Sequence, residues 1–297
     1  MVTRKNRLLT DAVREVRHTF SRFLSILVLA ALAVAFLSGL RAAAPDMKYT
    51  ADNYYDRTNL MDGYVLSTLG LVQEDLDALA EAEGIQEVEG SWSVDATAVD
   101  CIVSVRSMPE RLNLLEVKRG RLPEAADECV TESKLLVELG LDVGDALELV
   151  LDEDGEGDLT CTSYTIVGVV NCPLYVGTDR GTSSLGSGSV DAFVFVPGEN
   201  FALDYFTAAY FTGDGLAALD SYSDGYDSRA EALVDSLDAL AEERAALRYD
   251  SLIGDAQQEL DEARAELEDA KAEADQELAD GWTELQNARK ELDDGWA

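Results

Sequence analysis

A single histidine, His18, occurs in the 297 residues of this chain, and none follows it. Neither a Ser-His-Asp nor a Cys-His apparatus can therefore be assembled from anything downstream. No G-x-S-x-G, Walker A or C-x2-C sequence is present, which removes the nucleophile elbow, the phosphate-cradling loop and the usual zinc spacing. Cations are scarce too: 23 Lys and Arg stand against 59 Asp and Glu, for a net charge of -36. A surface of that sign repels nucleic acid and anionic lipid, so no nucleic-acid partner is expected. Carboxylate pairs abound, yet none is marked out for acid-base work; the expectation is no enzyme, no catalytic residue, no cofactor and no metal. Apolar residues still make up 47% of the chain, enough for roughly 200 residues to bury one sizeable core.

What is present begins with an uncharged apolar run, Phe23 to Leu40, between Arg22 and Arg41. Its eighteen residues rise about 27 Å as a helix, close to the thickness of a bilayer core. Arg4, Lys5, Arg7, Arg14, Arg17 and Arg22 outnumber Asp11 and Glu15 before it, which by the positive-inside rule places the N-terminus in the cytoplasm. A cleaved signal peptide, with Ala42-Ala43-Ala44 as cleavage site, is the rival reading. Against it, the run exceeds a signal-peptide core, and the leader is patterned. Leu8, Leu9, Ala12, Val13, Val16 and Phe20 share one face opposite Arg7, Arg14 and Arg17, as in a helix lying on a lipid bilayer surface.

All four cysteines, Cys101, Cys129, Cys161 and Cys172, follow the span, where disulfides are permitted; three pairings are open. Cys161 and Cys172 flank one strand-like run and are too far apart if that strand is straight. The segment Gly181-Thr182-Ser183-Ser184-Leu185-Gly186-Ser187-Gly188 lacks the lysine of a phosphate loop and reads as a surface loop. Asp152-Glu153-Asp154-Gly155-Glu156-Gly157-Asp158 lacks the spacing and closing glutamate of an EF-hand and reads as an acidic turn.

The outer chain mixes periods. Helices are expected over Gln73 to Glu83, closed by Gly84, over Glu132 to Leu139, closed by Gly140, and opening at Leu216 to Leu219. Strands are expected over Ile85 to Glu89, Ser93 to Val105, Ala146 to Leu151, Tyr164 to Val170 and Val190 to Val196. Without regular βαβ spacing this is an α+β domain. From about Arg229 the chain turns to Ala, Glu, Asp and Leu. Leu260, Ala263, Leu267, Ala270 and Ala274 keep heptad spacing, which Leu278, Leu285, Ala288 and Leu292 resume after a stutter. Asp280-Gly281-Trp282 recurs as Asp294-Gly295-Trp296. A coiled-coil arm is expected, as an antiparallel hairpin or a dimer. The repeat is still running at Ala297, so the chain is expected to be the front part of a longer protein.

On these residues the sequence resembles the FtsX-like, MacB-type permeases of ABC transporters, in particular members with a coiled-coil insertion. The likeness is carried by Ser21-Arg22-Phe23-Leu24-Ser25-Ile26, Gly39-Leu40-Arg41 and Pro45-Asp46-Met47 at the span. It continues in Gly120-Arg121-Leu122-Pro123, Glu132-Ser133, Leu139-Gly140, Val143-Gly144-Asp145 and Tyr164-Thr165-Ile166-Val167-Gly168-Val169-Val170. Pro173-Leu174-Tyr175 and Arg180-Gly181-Thr182 are similar to the coiled-coil subgroup. The resemblance implies a cytoplasmic leader at 1–21, a transmembrane helix at 22–44, an extracytoplasmic MacB-like α+β domain at 45–228 and a long arm at 229–297. It further implies a cytoplasmic ABC ATPase and a second permease subunit as partners, a cell-membrane location, and an envelope protein on the arm. Three further spans and the cytoplasmic coupling loop of that family are missing here. A single-pass anchored scaffold or a regulator of a cell-wall hydrolase are the other readings.

Overall fold

The computed structural model describes residues 4–152, 155–186 and 188–295. Two helices open the chain: α1, Arg4–His18, and α2, Phe20–Thr58, separated only at Thr19. α2 does not stop at residue 44. Its 39 residues, about 58 Å at 1.5 Å each, run on through Pro45, which lacks the N–H that would bond the Arg41 carbonyl. It ends where Asn59 turns left-handed at φ 47° and ψ 56°. None of the described residues buries its apolar window, which is long and apolar enough to cross a membrane.

After α2 come β1, Gly63–Val65; α3, Gln73–Ala80; β2, Ile85–Ser91; β3, Ser93–Ala98; and β4, Cys101–Ser107. There follow β5, Glu116–Gly120; β6, Glu128–Thr131; α4, Ser133–Leu139; β7, Ala146–Glu148; and β8, Ser163–Asn171. Then come β9, Ala192–Val196; β10, Ala208–Gly213; and the arm α5, Asp224–Asp294. The arm begins before Arg229 because Ser223 caps it, its Oγ accepting from the Tyr226 N–H at 3.2 Å. Its 71 residues amount to roughly 106 Å.

The strands form two sheets. The small one is antiparallel, in the order β1-β10-β2; the large one runs β3-β4-β9-β6-β8-β5, with β7 added beside β8. In the large sheet β4 with β9 and β6 with β8 are parallel and the other pairs antiparallel, so the domain is α+β with a mixed sheet. One of its faces buries Val103, Val105, Ala192, Val194 and Ile166 under Leu135 and Leu136 of α4. The other packs Val130, Val170, Cys172, Phe193 and Phe195 against Leu174 and Tyr175. Strand β9 is buried along its whole length, the pattern of a central strand covered on both sides.

Several sequence expectations require correction. Ser93 to Val105 is not one strand but the hairpin of β3 and β4, turning at Val99 with φ 57°. The turn was hidden because a β-branched residue occupies a conformation usually given to Gly or Asn. Leu216 to Leu219 forms turns, not a helix, and the helix predicted to Glu83 ends at Ala80. Strands β1, β5, β6 and β10 lie outside the expected strands.

Candidate functional site

Among the described residues no three metal-ligating side chains come together. The polar organisation of the molecule is concentrated at three mechanical junctions.

At the first, the upper end of α2 meets the small sheet and the root of the arm. Asp52 Oδ1 accepts from the Ser221 N–H at 2.8 Å, the Tyr55 and Tyr222 hydroxyls lie 3.3 Å apart, and Lys48 Nζ stands 5.1 Å from the Tyr222 ring centre. The Tyr55 phenol is held up to about 12 by its bond with Tyr222 and by burial. Beyond the helix, Asp62 receives the Tyr226 hydroxyl of α5 at 2.6 Å and the Gly213 N–H of β10 at 2.8 Å. Burial and the Asp62 bond push the Tyr226 phenol above its ordinary value, so it remains a donor across the physiological range. Thr58 and Asn59 carbonyls accept from Leu114 and Asn113, and Arg57 pairs with Glu116 of β5 at 3.1 Å. The helix end is thus tied to the turn that leads into the arm and to the edge of the large sheet, and Asp62, just beyond it, joins the arm to the small sheet.

The second junction joins the sheets. Arg106 Nη1, on β4, donates to the Tyr210 hydroxyl on β10 at 2.8 Å, and its guanidinium lies 5.5 Å from the Tyr175 ring centre. Arg180 lies 5.4 Å from the same ring and binds Glu132 through both forks, at 2.8 and 2.6 Å. Both side chains of that pair are 10% exposed. Tyr175 in turn stacks on Phe193 at 5.0 Å, 12° from parallel. A bidentate pair shielded by aromatic rings is a stiff connector rather than a surface contact.

The third junction seats the arm. Leu233, Leu237 and Leu240 pack with Leu71, Leu76, Leu79, Val88, Ala209 and Phe211, so α3 and α5 cover the same face of the small sheet. Arg244 Nε meets Asp75 Oδ1 at 2.7 Å while Asp75 Oδ2 accepts from the Val72 N–H at the start of α3. A cavity of about 440 Å³ remains beside this pair, lined by Leu66, Leu76, Leu240 and Arg248. Further out the arm is exposed among the described residues: Leu260 is 50% exposed and Trp282 64%.

The motif residues behave unequally. Tyr175, Arg180 and Glu132 converge at the second junction. Gly120 and Gly168 face each other across β5 and β8, where a Cβ on Gly120 would come within 2.2 Å of the Val167 carbonyl oxygen. Gly144 donates to Ile166 at 2.8 Å, locking the α4–β7 connection onto β8. The span residues Arg22 to Ile26 lie exposed on α2. All four cysteines are free thiols, and β8 holds Cys161 and Cys172 at opposite ends of an extended run. In the acidic turn Gly155 N–H bonds Asp152 Oδ1 at 3.0 Å, while Glu153 and Asp154 lie outside the described residues, as do Ser187 and Trp296. Sequence reasoning missed Arg106, Tyr210, Asp62 and Tyr226. Only Arg106 left a signal, as a lone cation in an otherwise uncharged strand.

No protein-family model matches the chain, and no curated protein sequence matches it. Among solved structures it is similar to the extracellular domain of the noncanonic ABC-type transporter YknZ from Gram-positive bacteria, at 12% identity over 55% of this chain and 80% of that one, with a TM-score of 0.33. It is also similar to the periplasmic region of MacB from Actinobacillus actinomycetemcomitans, at 13% identity over 57% and 74%, TM-score 0.29. A domain of a putative permease from Porphyromonas gingivalis is similar at 16% identity over 54% and 73%, TM-score 0.27.

Proposed function

We propose that this chain belongs to a permease subunit in an ATP-driven transporter of the FtsX/MacB type. It couples a cytoplasmic ATPase to movement of the extracytoplasmic domain, for export or extraction of a peptide, lipid or lipoprotein. The observation that carries this reading is α2, one helix from an uncovered apolar stretch to the first junction, where Asp52 is bonded to the turn that leads into the arm and Asp62, just beyond the helix, is bonded to the arm itself. A push along α2 is delivered to the root of the arm through these bonds. In this reading α1 lies on the cytoplasmic membrane surface and answers to the ATPase, and the uncovered flank of α2 meets lipid and a second permease subunit. The extracytoplasmic part is assigned no chemistry of its own.

A second reading is favoured by the arm. A helix with Leu and Trp exposed along one heptad seam is built to be covered, which suits a regulator that engages an envelope partner.

Purifying the full gene product from its own membrane, tagged at the N-terminus, tests the first reading. A co-purifying P-loop ATPase whose hydrolysis rate depends on the permease supports it. Absence of any ATPase, with a single-pass product, contradicts it and leaves an anchored scaffold.

A further inference from the structure

The small sheet has a free edge. β2 pairs with β10 on one side and, among the described residues, with no strand on the other. Beside that edge lies a groove of about 900 Å³ lined by the consecutive residues 86–90. The ladder fixes which backbone groups face it. The Ser91 carbonyl accepts from Thr207 on the β10 side, and the Phe211 carbonyl opposite Val88 is directed to Asp62 on the β1 side. By alternation Val88 and Gly90 point their N–H and C=O groups outward. The Val88 carbonyl shows that direction: it receives Arg111 Nη2 at 2.7 Å, a side-chain donor standing where the next strand's N–H would stand.

The far wall of the groove carries Pro123 and Pro197, which contribute apolar surface and no backbone N–H to compete for a guest's carbonyls. Trp92 also lines it and adds aromatic surface. The charge at the rim has one dominant sign: Asp77, Glu87, Glu89 and Glu110 against Arg111. Glu89 is already spent on the N–H groups of Glu110, Arg111 and Leu112. Asp77 and Glu110 remain exposed to the groove.

We infer that this groove binds an extended, basic polypeptide segment, which adds to the small sheet as a fourth strand along β2. Its main chain takes the place of Arg111 Nη2 at the Val88 carbonyl and bonds the Val88 N–H and the outward groups of Gly90, and its cations face Asp77 and Glu110. Five residues of edge offer about 17 Å of ladder, so a segment of about five residues fills it. The inference rests on the edge and its chemistry and stands apart from the transporter reading.

The test uses the whole chain in lipid nanodiscs and a fluorescein-labelled peptide, Lys-Val-Lys-Thr-Val-Lys, followed by anisotropy. Two further peptides are N-methylated on alternate residues, one in each frame. The expected result is saturable binding, weakened about tenfold or more by methylation in one frame and not the other, because only alternate N–H groups face β2. Asp77→Lys with Glu110→Lys weakens binding by a similar factor, with far-UV circular dichroism confirming the fold. No saturable binding, equal binding of both methylated peptides and the parent, or equal binding of Glu-Val-Glu-Thr-Val-Glu overturns the inference.

Discussion

Arg180 and Glu132 form the most exacting contact in the outer domain, because both charges are nearly out of water and each satisfies the other through two bonds. Removing one partner strands the other. Arg180→Met is expected to destabilise the domain by about 3–5 kcal/mol in chemical denaturation, and adding Glu132→Leu to recover part of that loss. Glu128 behaves differently. The Arg121 side chain, followed by the Glu124 and Ala125 N–H groups, holds its carboxyl down at about 2 against an ordinary 4.5. A carboxylate depressed on folding stabilises above its unfolded pKa and loses that effect as the pH falls through the folded one. The Tm difference between the native chain and Glu128→Gln should therefore be full above pH 4.5 and close towards pH 2. Burial pushes the Cys129 and Cys172 thiols up to about 12. Alkylation at neutral pH should accordingly modify Cys101 and Cys161 but reach Cys129 and Cys172 only after denaturation, which mass spectrometry reads directly.

Among the elements, the β3–β4 turn holds a correctable strain. Val99 sits at φ 57° and is 77% exposed, so it carries the steric cost of a left-handed β-branched residue and contributes little packing in return. Val99→Asn should raise stability by about 1 kcal/mol, read as a higher denaturation midpoint with an unchanged slope. The same turn shows where the sequence stopped being legible. Elements with strong periods or Gly punctuation could be read: α4 closed by Gly140, β8 and β9 as Val, Ile and Phe runs, and the long helix of the arm. Strand β5, three of whose five residues are charged, has no strand signal and exists because Gly120 and Gly168 let two backbones approach. β1 and β6 are three and four residues long and are held by their neighbours rather than by propensity. At the sheet junction, Tyr175 and Arg180 stood out as motif residues, but their meeting with Glu132, forty-eight positions from Arg180, is a tertiary fact.

At the scale of the molecule, two helices converge on one small sheet. α2 reaches it from the apolar side and α5 leaves it on the other, Asp52 of α2 bonds Ser221 in the turn before α5, and Asp62 after α2 bonds Tyr226 of α5 and Gly213 of β10. Leu237 and its neighbours bury the arm's root against the sheet, so the three parts have no loose joint between them. The central claim is that the upper half of α2, the small sheet and the base of α5 move as one body. Spin labels at Asn53→Cys on α2 and Asp235→Cys on α5, in the full gene product together with its co-purified ATPase and with Cys101 and Cys161 replaced by Ser, measure that directly by pulsed electron resonance in lipid. The account predicts a single narrow distance that stays the same with and without ATP, whereas a broad distribution, or a distance that shifts between the two conditions, would contradict it.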